Sequence, residues 1–263
     1  MTTTLQFVNQ VAIEAGELLI EHFRSRSFDT RLKGDNTAVT TADLAADRLI
    51  SKAIKQYYPD DMILSEEHKT TIPLEGMETP TATWIIDPLD GTTNFSLGLP
   101  IWGVLITRVM SGFPESTVQY FPLINEIYSA QIGQGATLNG KPIQVVEPEN
   151  ESRLSFFACC SRTHRRYKIS VPYKLRVLGS AAYTYCAIAR GMAILGFEAT
   201  PKIWDIAGAW LLVQEAGGVI ESFSGDQPFP LRGDINFAEQ IYPTIAAARR
   251  NIADRAFNQI VAD

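Results

Sequence analysis

The N-terminal part of the chain carries apolar residues at helical spacing. The first set of apolar positions is Leu5, Val8, Ala12, Ala15, Leu19 and Phe23. Because residues three or four apart share one face of a helix, this set predicts an amphipathic helix over residues 5–23. A second helix is predicted over about residues 43–58 and stopped by Pro59. Its successive turns are marked by Leu44, Asp47, Ile50 and Ile54.

Short apolar runs bounded by turn residues predict β-strands along the rest of the chain. The expected strands cover residues 62–65, 101–109, 116–121, 126–132, 154–158, 175–178, 193–197, 219–223 and 244–248. Another apolar run, Trp84-Ile85-Ile86, predicts a strand that stops at Asp87, because Pro88 cannot donate to a sheet ladder.

Three further helices are predicted in the second half of the chain. They run from Gly179-Ser180 to Arg190, from Trp204 to Ala216, and onward from Asn251, which we expect to cap the last helix. Turn or loop structure is predicted for residues 33–36 and 68–82. Helices and strands mix without a regular βαβ alternation, so we predict an α+β fold in which helix layers cover mixed sheets.

The composition is that of a globular protein with a sizeable core. The 263 residues allow one large domain, or two small ones that share a core. Hydrophobic residues make up 46% of the chain, which is enough for a large interior. Charged residues make up 20%, which excludes a disordered chain and a coiled coil.

Charge and cysteine content narrow the functional class. The formal net charge of −6 argues against nucleic acid as the main partner. A small phosphorylated substrate is still compatible, because a bound metal reverses the local sign of charge. Cys159, Cys160 and Cys186 lack C-x-x-C spacing, which predicts reduced thiols and a cytoplasmic location. We find no signal-peptide pattern and no apolar run near the roughly 20 residues that span a membrane, so no membrane partner is expected.

The most informative stretch is an apolar run that leads into two closely spaced carboxylates. Its sequence is Trp84-Ile85-Ile86-Asp87-Pro88-Leu89-Asp90-Gly91-Thr92-Thr93-Asn94-Phe95. Two carboxylates this close repel each other unless a cation lies between them, and their hard oxygens suit Mg²⁺ better than zinc or copper. The N–H groups from Gly91 to Asn94 could cradle an anion. The alternative is a structural loop, because Asp-Pro and Asp-Gly are common turn dipeptides.

Two other carboxylates lie in a similar context, at the end of an apolar strand or near the start of a helix. Glu66 follows the apolar run that begins at Met62, and Asp205 lies between Trp204 and Ile206. A lone buried carboxylate costs free energy, so Asp205 is a candidate metal ligand. The alternative for Asp205 is a helix N-cap whose oxygen faces the Gly208 N–H.

Two motifs resemble the signatures of the inositol monophosphatase family. The first is the stretch from Trp84 to Phe95. The second is Trp204-Asp205-Ile206-Ala207-Gly208-Ala209, followed by Glu215-Ala216-Gly217-Gly218. Further segments resemble the family in the same order, namely Val39-Thr40-Thr41-Ala42-Asp43, Ser65-Glu66-Glu67 and Gly135-Ala136-Thr137-Leu138-Asn139-Gly140-Lys141-Pro142. The similarity covers nearly the whole chain.

The resemblance implies a five-layer αβαβα sandwich in a single domain, residues 1–263. An N-terminal half of about residues 1–145 would hold metal and phosphate, and a C-terminal half of about residues 146–263 would bind the substrate. The implied activity is hydrolysis of a phosphomonoester on a small polyol by a metal-activated water, without a covalent intermediate and with roughly two or three Mg²⁺ ions. Lithium sensitivity and a homodimer are also implied.

The resemblance also implies the site residues. The metal ligands would be Glu66, Asp87, the Leu89 carbonyl, Asp90 and Asp205. The phosphate would contact Gly91 and Thr92. The catalytic residues would be Glu66 and the Thr92–Asp43 pair, which would help take a proton from the attacking water. The substrate would contact Asp90, Gly179, Ser180, Ala181 and Glu198.

The identity of the substrate is left open by the sequence. Inositol 1-phosphate is the leading prediction, and fructose 1,6-bisphosphate, histidinol phosphate and a 3′-phosphonucleotide are alternatives, since fold does not fix function. The basic segment Arg162–Lys168 is either a solvated loop or a patch that faces substrate or partner. Lys33 is either a basic residue near the metals or an exposed turn lysine.

Other functional classes fit the sequence less well. A non-catalytic homologue that binds metal and ligand is one alternative, and loss of a carboxylate would have favoured it. A phosphatase with an aspartyl-phosphate intermediate is disfavoured, because it usually has D-x-D at a strand end and this chain has D-x-x-D. The three histidines, His22, His68 and His164, lie outside every motif, which argues against a zinc enzyme and a phosphohistidine route.

Overall fold

The structure, a computed structural model, describes residues 3–26, 28–32, 38–68, 82–145, 155–233, 235–237 and 239–262. Three sequence predictions lie wholly or mostly outside these residues: the turn at 33–36 with Lys33, the loop over 68–82, and Leu154 at the start of a strand. Within the described ranges, every helix is too short or too polar to cross a membrane.

Six α-helices form within the described residues. They are α1 (Thr4–Ser25), α2 (Thr41–Tyr57), α3 (Thr92–Leu97), α4 (Ala181–Ala189), α5 (Ile203–Glu215) and α6 (Arg250–Gln259). Short 3-10 helices cover Pro122–Ile124 and Thr163–Arg165. The helices α1 and α2 follow Thr3 and Thr40, whose hydroxyls accept backbone N–H groups of the first turn and so stabilise the helix start.

Sixteen strands form within the same residues. They are β1 (Thr30–Leu32), β2 (Ala38–Thr40), β3 (Met62–Ser65), β4 (Ala82–Asp90), β5 (Gly103–Met110), β6 (Phe113–Phe121), β7 (Glu126–Gln131), β8 (Gly135–Leu138), β9 (Lys141–Ile143), β10 (Phe156–Cys159), β11 (Tyr167–Ile169), β12 (Lys174–Arg176), β13 (Ala193–Glu198), β14 (Val219–Ser222), β15 (Thr244–Ala247) and β16 (Ile260–Ala262). Because both sheet and helix run through the whole chain, the predicted α+β class is confirmed.

Two large sheets organise the molecule. The seven-stranded sheet has the order β3-β4-β5-β6-β7-β8-β9, and only its first pair, β3 with β4, is parallel. The five-stranded sheet has the order β12-β10-β13-β15-β14, with parallel pairing among the first three strands and antiparallel pairing among the rest. Both sheets are therefore mixed, as predicted.

Helices cover the sheets in layers. The pair α1 and α2 packs on one face of the seven-stranded sheet, α4 and α5 lie between the two sheets, and α6 packs on the five-stranded sheet. Alternation along β4 shows why both faces need cover: Trp84 and Ile86 point into the core under α1 and α2, while Ile85 points into the core between the sheets. The result is the αβαβα sandwich.

The prediction that a strand stops at Asp87 is wrong. Strand β4 continues through Pro88 to Asp90, and its pairing with β5 shifts register between Asp87 and Asp90. A proline is tolerated there because the irregular pairing needs no N–H donor from it.

The prediction that Asn251 caps the last helix is also wrong. Arg249 is the N-cap of α6, and Asn251 lies inside the first turn. Sequence reasoning also missed β11 and β16, which pair with each other across more than ninety residues of chain. Such a pairing leaves no local signal, because each strand has three residues and its partner is remote in sequence.

Candidate active site

Three carboxylates converge between the end of β4 and the first turn of α5. Single oxygen atoms of Asp87, Asp90 and Asp205 all lie within 4.8 Å of one another. The first two come from the end of β4 in the seven-stranded sheet, and Asp205 comes from the first turn of α5. Asp87 and Asp90 are buried and Asp205 is half-buried, so water screens their mutual repulsion poorly.

A β-bulge brings the two aspartates of β4 together. Asp87 pairs with Leu105 and Asp90 pairs with Gly103, so three steps on β4 match two steps on β5. In a regular strand, residues three apart point to opposite faces, but the extra residue turns both carboxylates to one side. The Leu89 N–H donates to Asp87 Oδ1 at 3.0 Å and holds the bulge closed.

Glu66 lies beside the cluster, at the end of the neighbouring strand. Its N–H donates to the Ile86 carbonyl at 3.1 Å, which continues the parallel pairing of β3 and β4 by one residue. Its carboxylate is not among the three that lie within 4.8 Å of one another. Its charge nevertheless acts on the cluster, because it is the largest contributor after burial to the raised pKa of Asp87.

Burial and mutual repulsion raise the pKa values of the clustered carboxyl groups. Burial is the main cause for all three, and it places the pKa of Asp90 at about 6 and those of Asp87 and Asp205 well above their ordinary range. A cation would reverse this effect. The donor set of three carboxylates, with the Leu89 carbonyl and Glu66 adjacent, consists of hard oxygens and fits Mg²⁺.

The turn after the cluster presents a hydroxyl held by two acceptors. Gly91 adopts φ +84°, a conformation that favours glycine, and α3 begins at Thr92. The Thr92 hydroxyl lies 3.0 Å from the Leu89 carbonyl and 3.3 Å from Asp43 Oδ1, and can donate to either. At the start of any helix the first N–H groups have no partner within the helix, so this turn is suited to bind an anion.

Asp43 is fixed by the start of α2. Its Oδ2 accepts the Thr40 N–H at 2.8 Å and also the Thr40 hydroxyl. Burial raises the pKa of Asp43 to about 7, and the charges of Glu67 and Glu66 add to the increase. Asp43 therefore lies near its titration point at neutral pH.

The segment before α4 is tied directly to the cluster. The Ser180 hydroxyl donates to Asp90 Oδ2, and the Ala181 N–H donates to Asp90 Oδ1 at 3.2 Å. The Asn94 side chain donates to the Leu178 carbonyl at 2.9 Å, and Gly179 has φ +77°. A methyl group on Gly179 would lie 2.5 Å from Asn94 Oδ1, so this position requires glycine.

Glu198 is the last residue of β13 and lines the same cavity as Asp205. It is buried, and its Oε1 accepts the Thr184 hydroxyl at 2.7 Å. Burial raises the pKa of Glu198 to about 8. A cavity of about 430 Å³ extends from here, and its lining includes Thr93, Asn94, Arg162, Ser180, Glu198, Thr200 and Asp205.

Sequence reasoning missed several residues of the cavity. Arg162 lines it and donates to the Thr200 hydroxyl at 3.1 Å. The basic segment Arg162–Lys168 pointed to this region, but spacing did not show which of its residues faces the cavity. The contact of the Asn94 side chain with the Leu178 carbonyl and that of Thr184 with Glu198 could not be predicted, because they join segments that are distant in sequence.

The N-cap alternative for Asp205 is not what the structure shows. Asp205 lies inside the first turn of α5, and its Oδ2 accepts the N–H of the N-cap residue, Lys202, at 2.7 Å. One carboxylate oxygen thus stabilises the helix start while the group as a whole faces Asp87 and Asp90.

Comparison with known proteins agrees with this geometry. The model of the inositol monophosphatase family matches residues 1–254. A histidinol-phosphatase of Chlorobaculum parvum is 33% identical over 242 residues, covering 86% of this chain and 88% of the relative. The Nus factor SuhB of Escherichia coli strain K12 is 33% identical over 246 residues, covering 89% and 91%. A solved IMPase structure from Thermotoga maritima has a TM-score of 0.75 and 27% identity, covering 95% of this chain and 93% of that one.

Proposed function

Because the chain belongs to the inositol monophosphatase family and is a phosphoric monoester hydrolase, we propose that it uses Mg²⁺ to hydrolyse a small phosphorylated polyol. Inositol 1-phosphate is the leading candidate for this substrate. The observation that carries the proposal is the bulge in β4, which aims Asp87 and Asp90 at Asp205. Buried carboxylates that repel one another are expected where a cation is to be bound.

The metal ligands in this proposal are the clustered carboxylates and their neighbours. Asp87, Asp90, Asp205, Glu66 and the Leu89 carbonyl would hold the ions. Bound Mg²⁺ supplies charge neutralisation of the phosphate and a lowered pKa of water. Because phosphoryl transfer depends mostly on positioning and charge stabilisation, the chain's remaining task is to orient the phosphate, the water and the alcohol.

The Thr92–Asp43 pair is proposed to orient and deprotonate the attacking water. The Thr92 hydroxyl donates to Asp43 or Leu89 and therefore has lone pairs that can accept from a water. With a pKa of about 7, Asp43 can take up a proton passed through Thr92 at neutral pH. Glu66 is the alternative proton acceptor. The N–H groups of Gly91 and Thr92 would bind the phosphate.

The C-terminal half is proposed to bind the alcohol. Glu198 and Asp90 can accept hydrogen bonds from ring hydroxyls. Gly179, Ser180 and Ala181 line the cavity, and Ser180 and Ala181 also donate hydrogen bonds to Asp90. A cavity of about 430 Å³ with several polar side chains in its lining suits one small ligand. These features support a polyol phosphate over a large or apolar substrate.

Two other substrates that would be hydrolysed by the same chemistry each have an observation in their favour. A relative is named histidinol-phosphatase, and the Glu198 carboxylate could pair with the amine of histidinol phosphate. Arg162 on the cavity wall could instead pair with a second phosphate, as in fructose 1,6-bisphosphate. Among the described residues that line the cavity, none gives separate support for a 3′-phosphonucleotide.

Phosphate release from a panel of substrates tests the proposal. The panel is inositol 1-phosphate, fructose 1,6-bisphosphate, histidinol phosphate and 3′-phosphoadenosine 5′-phosphate, each with Mg²⁺, with EDTA, and with Mg²⁺ plus Li⁺. We expect Mg²⁺-dependent, Li⁺-inhibited release, fastest from inositol 1-phosphate. Activity in EDTA would contradict the metal assignment. No release from any substrate, by folded protein that binds Mg²⁺, would favour a non-catalytic homologue.

The proposed assembly rests on the family resemblance, and the proposed location rests on the sparse, unpaired cysteines. We propose a homodimer in the cytoplasm. Sedimentation of the full chain tests the first, and fractionation of the source cells tests the second. A monomer at micromolar concentration would contradict the dimer.

A further inference from the structure

A second buried carboxylate lies on α2, outside the site described above. Asp47 follows Asp43 by four residues, so the two side chains leave the same face of the helix. Asp47 has no exposed surface. While Asp43 contacts Thr92, Asp47 contacts the segment that carries Glu66.

Both ends of that segment contact the same carboxylate. The Ser65 hydroxyl donates to Asp47 Oδ1, and Nδ1 of His68 contacts Asp47 Oδ2. Ser65 is fully buried, and its hydroxyl oxygen also accepts the Glu67 N–H at 3.3 Å. Glu66 is thus bracketed by two side chains that share one anchor on a rigid helix.

The position of β3 explains why such an anchor is needed. Among the described residues, β3 is the edge strand of the seven-stranded sheet, and sheet pairing holds it on the side of β4. After β3, the bond from the Glu66 N–H to the Ile86 carbonyl is the last backbone hydrogen bond to β4 within residues 38–68. Asp47 holds the segment from the other side. Burying the Asp47 carboxylate costs desolvation free energy. If this position only filled the core, an apolar residue would be as stable there, so the carboxylate indicates a role beyond packing.

We propose that Asp47 is a positioning residue for the metal site: with Ser65 and His68 it fixes the backbone from which Glu66 reaches the metal. This inference rests on the proposed function, in which Glu66 is a Mg²⁺ ligand. Groups that orient metal ligands typically contribute 10–100-fold to metal affinity. Loss of Asp47 is therefore expected to weaken Mg²⁺ binding about tenfold while turnover at saturating Mg²⁺ stays within about threefold.

The experiment measures Mg²⁺ binding by calorimetry on the full chain, alongside activity as a function of Mg²⁺ concentration. The variants are Asp47→Ala, Ser65→Ala and His68→Ala. Asp61→Asn is the matched control, because Asp61 directly precedes β3 and accepts hydrogen bonds from Trp84 and Arg108 at the other end of the same strand. Urea unfolding of each metal-free variant reports its stability.

We expect Asp47→Ala, Ser65→Ala and His68→Ala each to raise the Mg²⁺ dissociation constant and the Mg²⁺ concentration for half-maximal activity together. Asp61→Asn should lower stability and leave both constants unchanged. Unchanged Mg²⁺ affinity in folded Asp47→Ala overturns the inference, and so does an equal loss in Asp61→Asn. If Asp47→Ala does not fold, Ser65→Ala, which removes one hydroxyl, decides in the same way.

Two further variants separate this inference from the proposed function. Glu66→Gln and Asp87→Asn remove ligands outright and should abolish or strongly weaken Mg²⁺ binding. If both bind Mg²⁺ normally, the proposed metal site itself is wrong and the role of Asp47 falls with it. If both lose Mg²⁺ while Asp47→Ala and Ser65→Ala do not, only the positioning role is wrong.

Discussion

The proposed metal side, formed by Asp87, Asp90 and Asp205, and the proposed substrate side, the cavity lined by Arg162, Val177 and Glu198, are built in different ways. On the metal side, Asp87 and Asp90 lie on β4, an interior strand next to the sheet edge that is buried along its whole length. On the substrate side, Arg162 and Val177 come from exposed segments around an edge strand of the other sheet. The clustered carboxylates are held in the core, as are Ser180 and Glu198, whereas Arg162 and Val177 can change at little cost to the fold.

The difference suggests which property each side controls. The metal side should determine whether hydrolysis occurs at all, and the substrate side should determine which phosphomonoester is hydrolysed. Substitutions on the two sides should then separate turnover from selectivity.

The largest effect is expected on the metal side. Asp87→Asn or Asp205→Asn should lower turnover about 100-fold or more, roughly 3 kcal/mol of barrier, because a charged ligand is lost. Both variants should fold, and without metal they should be at least as stable as the parent chain, because one repelling buried charge is gone. Turnover numbers and urea midpoints measure the two effects. Near-normal turnover of folded Asp87→Asn would exclude it as a metal ligand.

The next largest effect is expected at Gly179, which lines the cavity beside Ser180, the residue that donates to Asp90. Gly179→Ala would place a methyl group against Asn94 in a conformation that already disfavours alanine. Gly217→Ala is the matched control, since it has φ +81° and open space around the new methyl group. The control should lose about 1 kcal/mol of unfolding free energy from the backbone alone, and Gly179→Ala should lose more, together with activity. Equal losses of stability would mean that Asn94 moves aside freely.

Part of the proposed metal side could be anticipated from the sequence, because three of its residues are nearly contiguous. Asp87, Asp90 and Thr92 fall within six positions, and their chemistry can be read without a fold. The bulge could not be predicted, because Pro88 ends a regular strand and only the pairing with β5 shows that this strand continues. The periodicity of α1 likewise sufficed to place that helix.

Residues that act through distant contacts could not be predicted. The sequence placed Asp47 on the apolar face of α2, where it marks a turn beside Ile50, but nothing nearby shows that Ser65 and His68 surround it. Arg162 is one of several basic residues in its segment, and only the folded chain turns it toward the cavity. The substrate side is assembled from remote segments, so its specificity is the least predictable property.

A smaller effect is expected on the substrate side. Arg162→Ala should change turnover of inositol 1-phosphate less than about threefold, but should weaken use of a bisphosphate about tenfold, roughly 1.4 kcal/mol, if the guanidinium pairs with the second phosphate. Arg165→Ala, an exposed arginine of the same segment that is not among the cavity-lining residues, is the control. Ratios of kcat/KM for the two substrates give the result. Equal ratios in all three proteins would assign Arg162 to the solvated loop.

The smallest effect links the substrate side to pH. The pKa values of Asp43 and Glu198 rise from 3.8 and 4.5 to about 7 and about 8 on folding, chiefly through burial. Between the ordinary and the raised pKa values, the folded chain therefore binds more protons than the unfolded chain. The stabilisation that these two groups give to the folded state is fully present below their ordinary pKa values, and it is lost as the pH rises through about 7 and about 8.

Metal-free protein should accordingly unfold at lower urea concentration at pH 8.5 than at pH 5. Glu198→Gln is neutral at every pH, so its urea midpoint should fall less over the same interval. The fall that remains in this variant includes the part from Asp43 and the clustered carboxylates on the metal side. If Glu198→Gln follows the pH dependence of the parent chain, Glu198 is ionised in the folded state throughout this range, and the substrate side carries no buried proton at neutral pH.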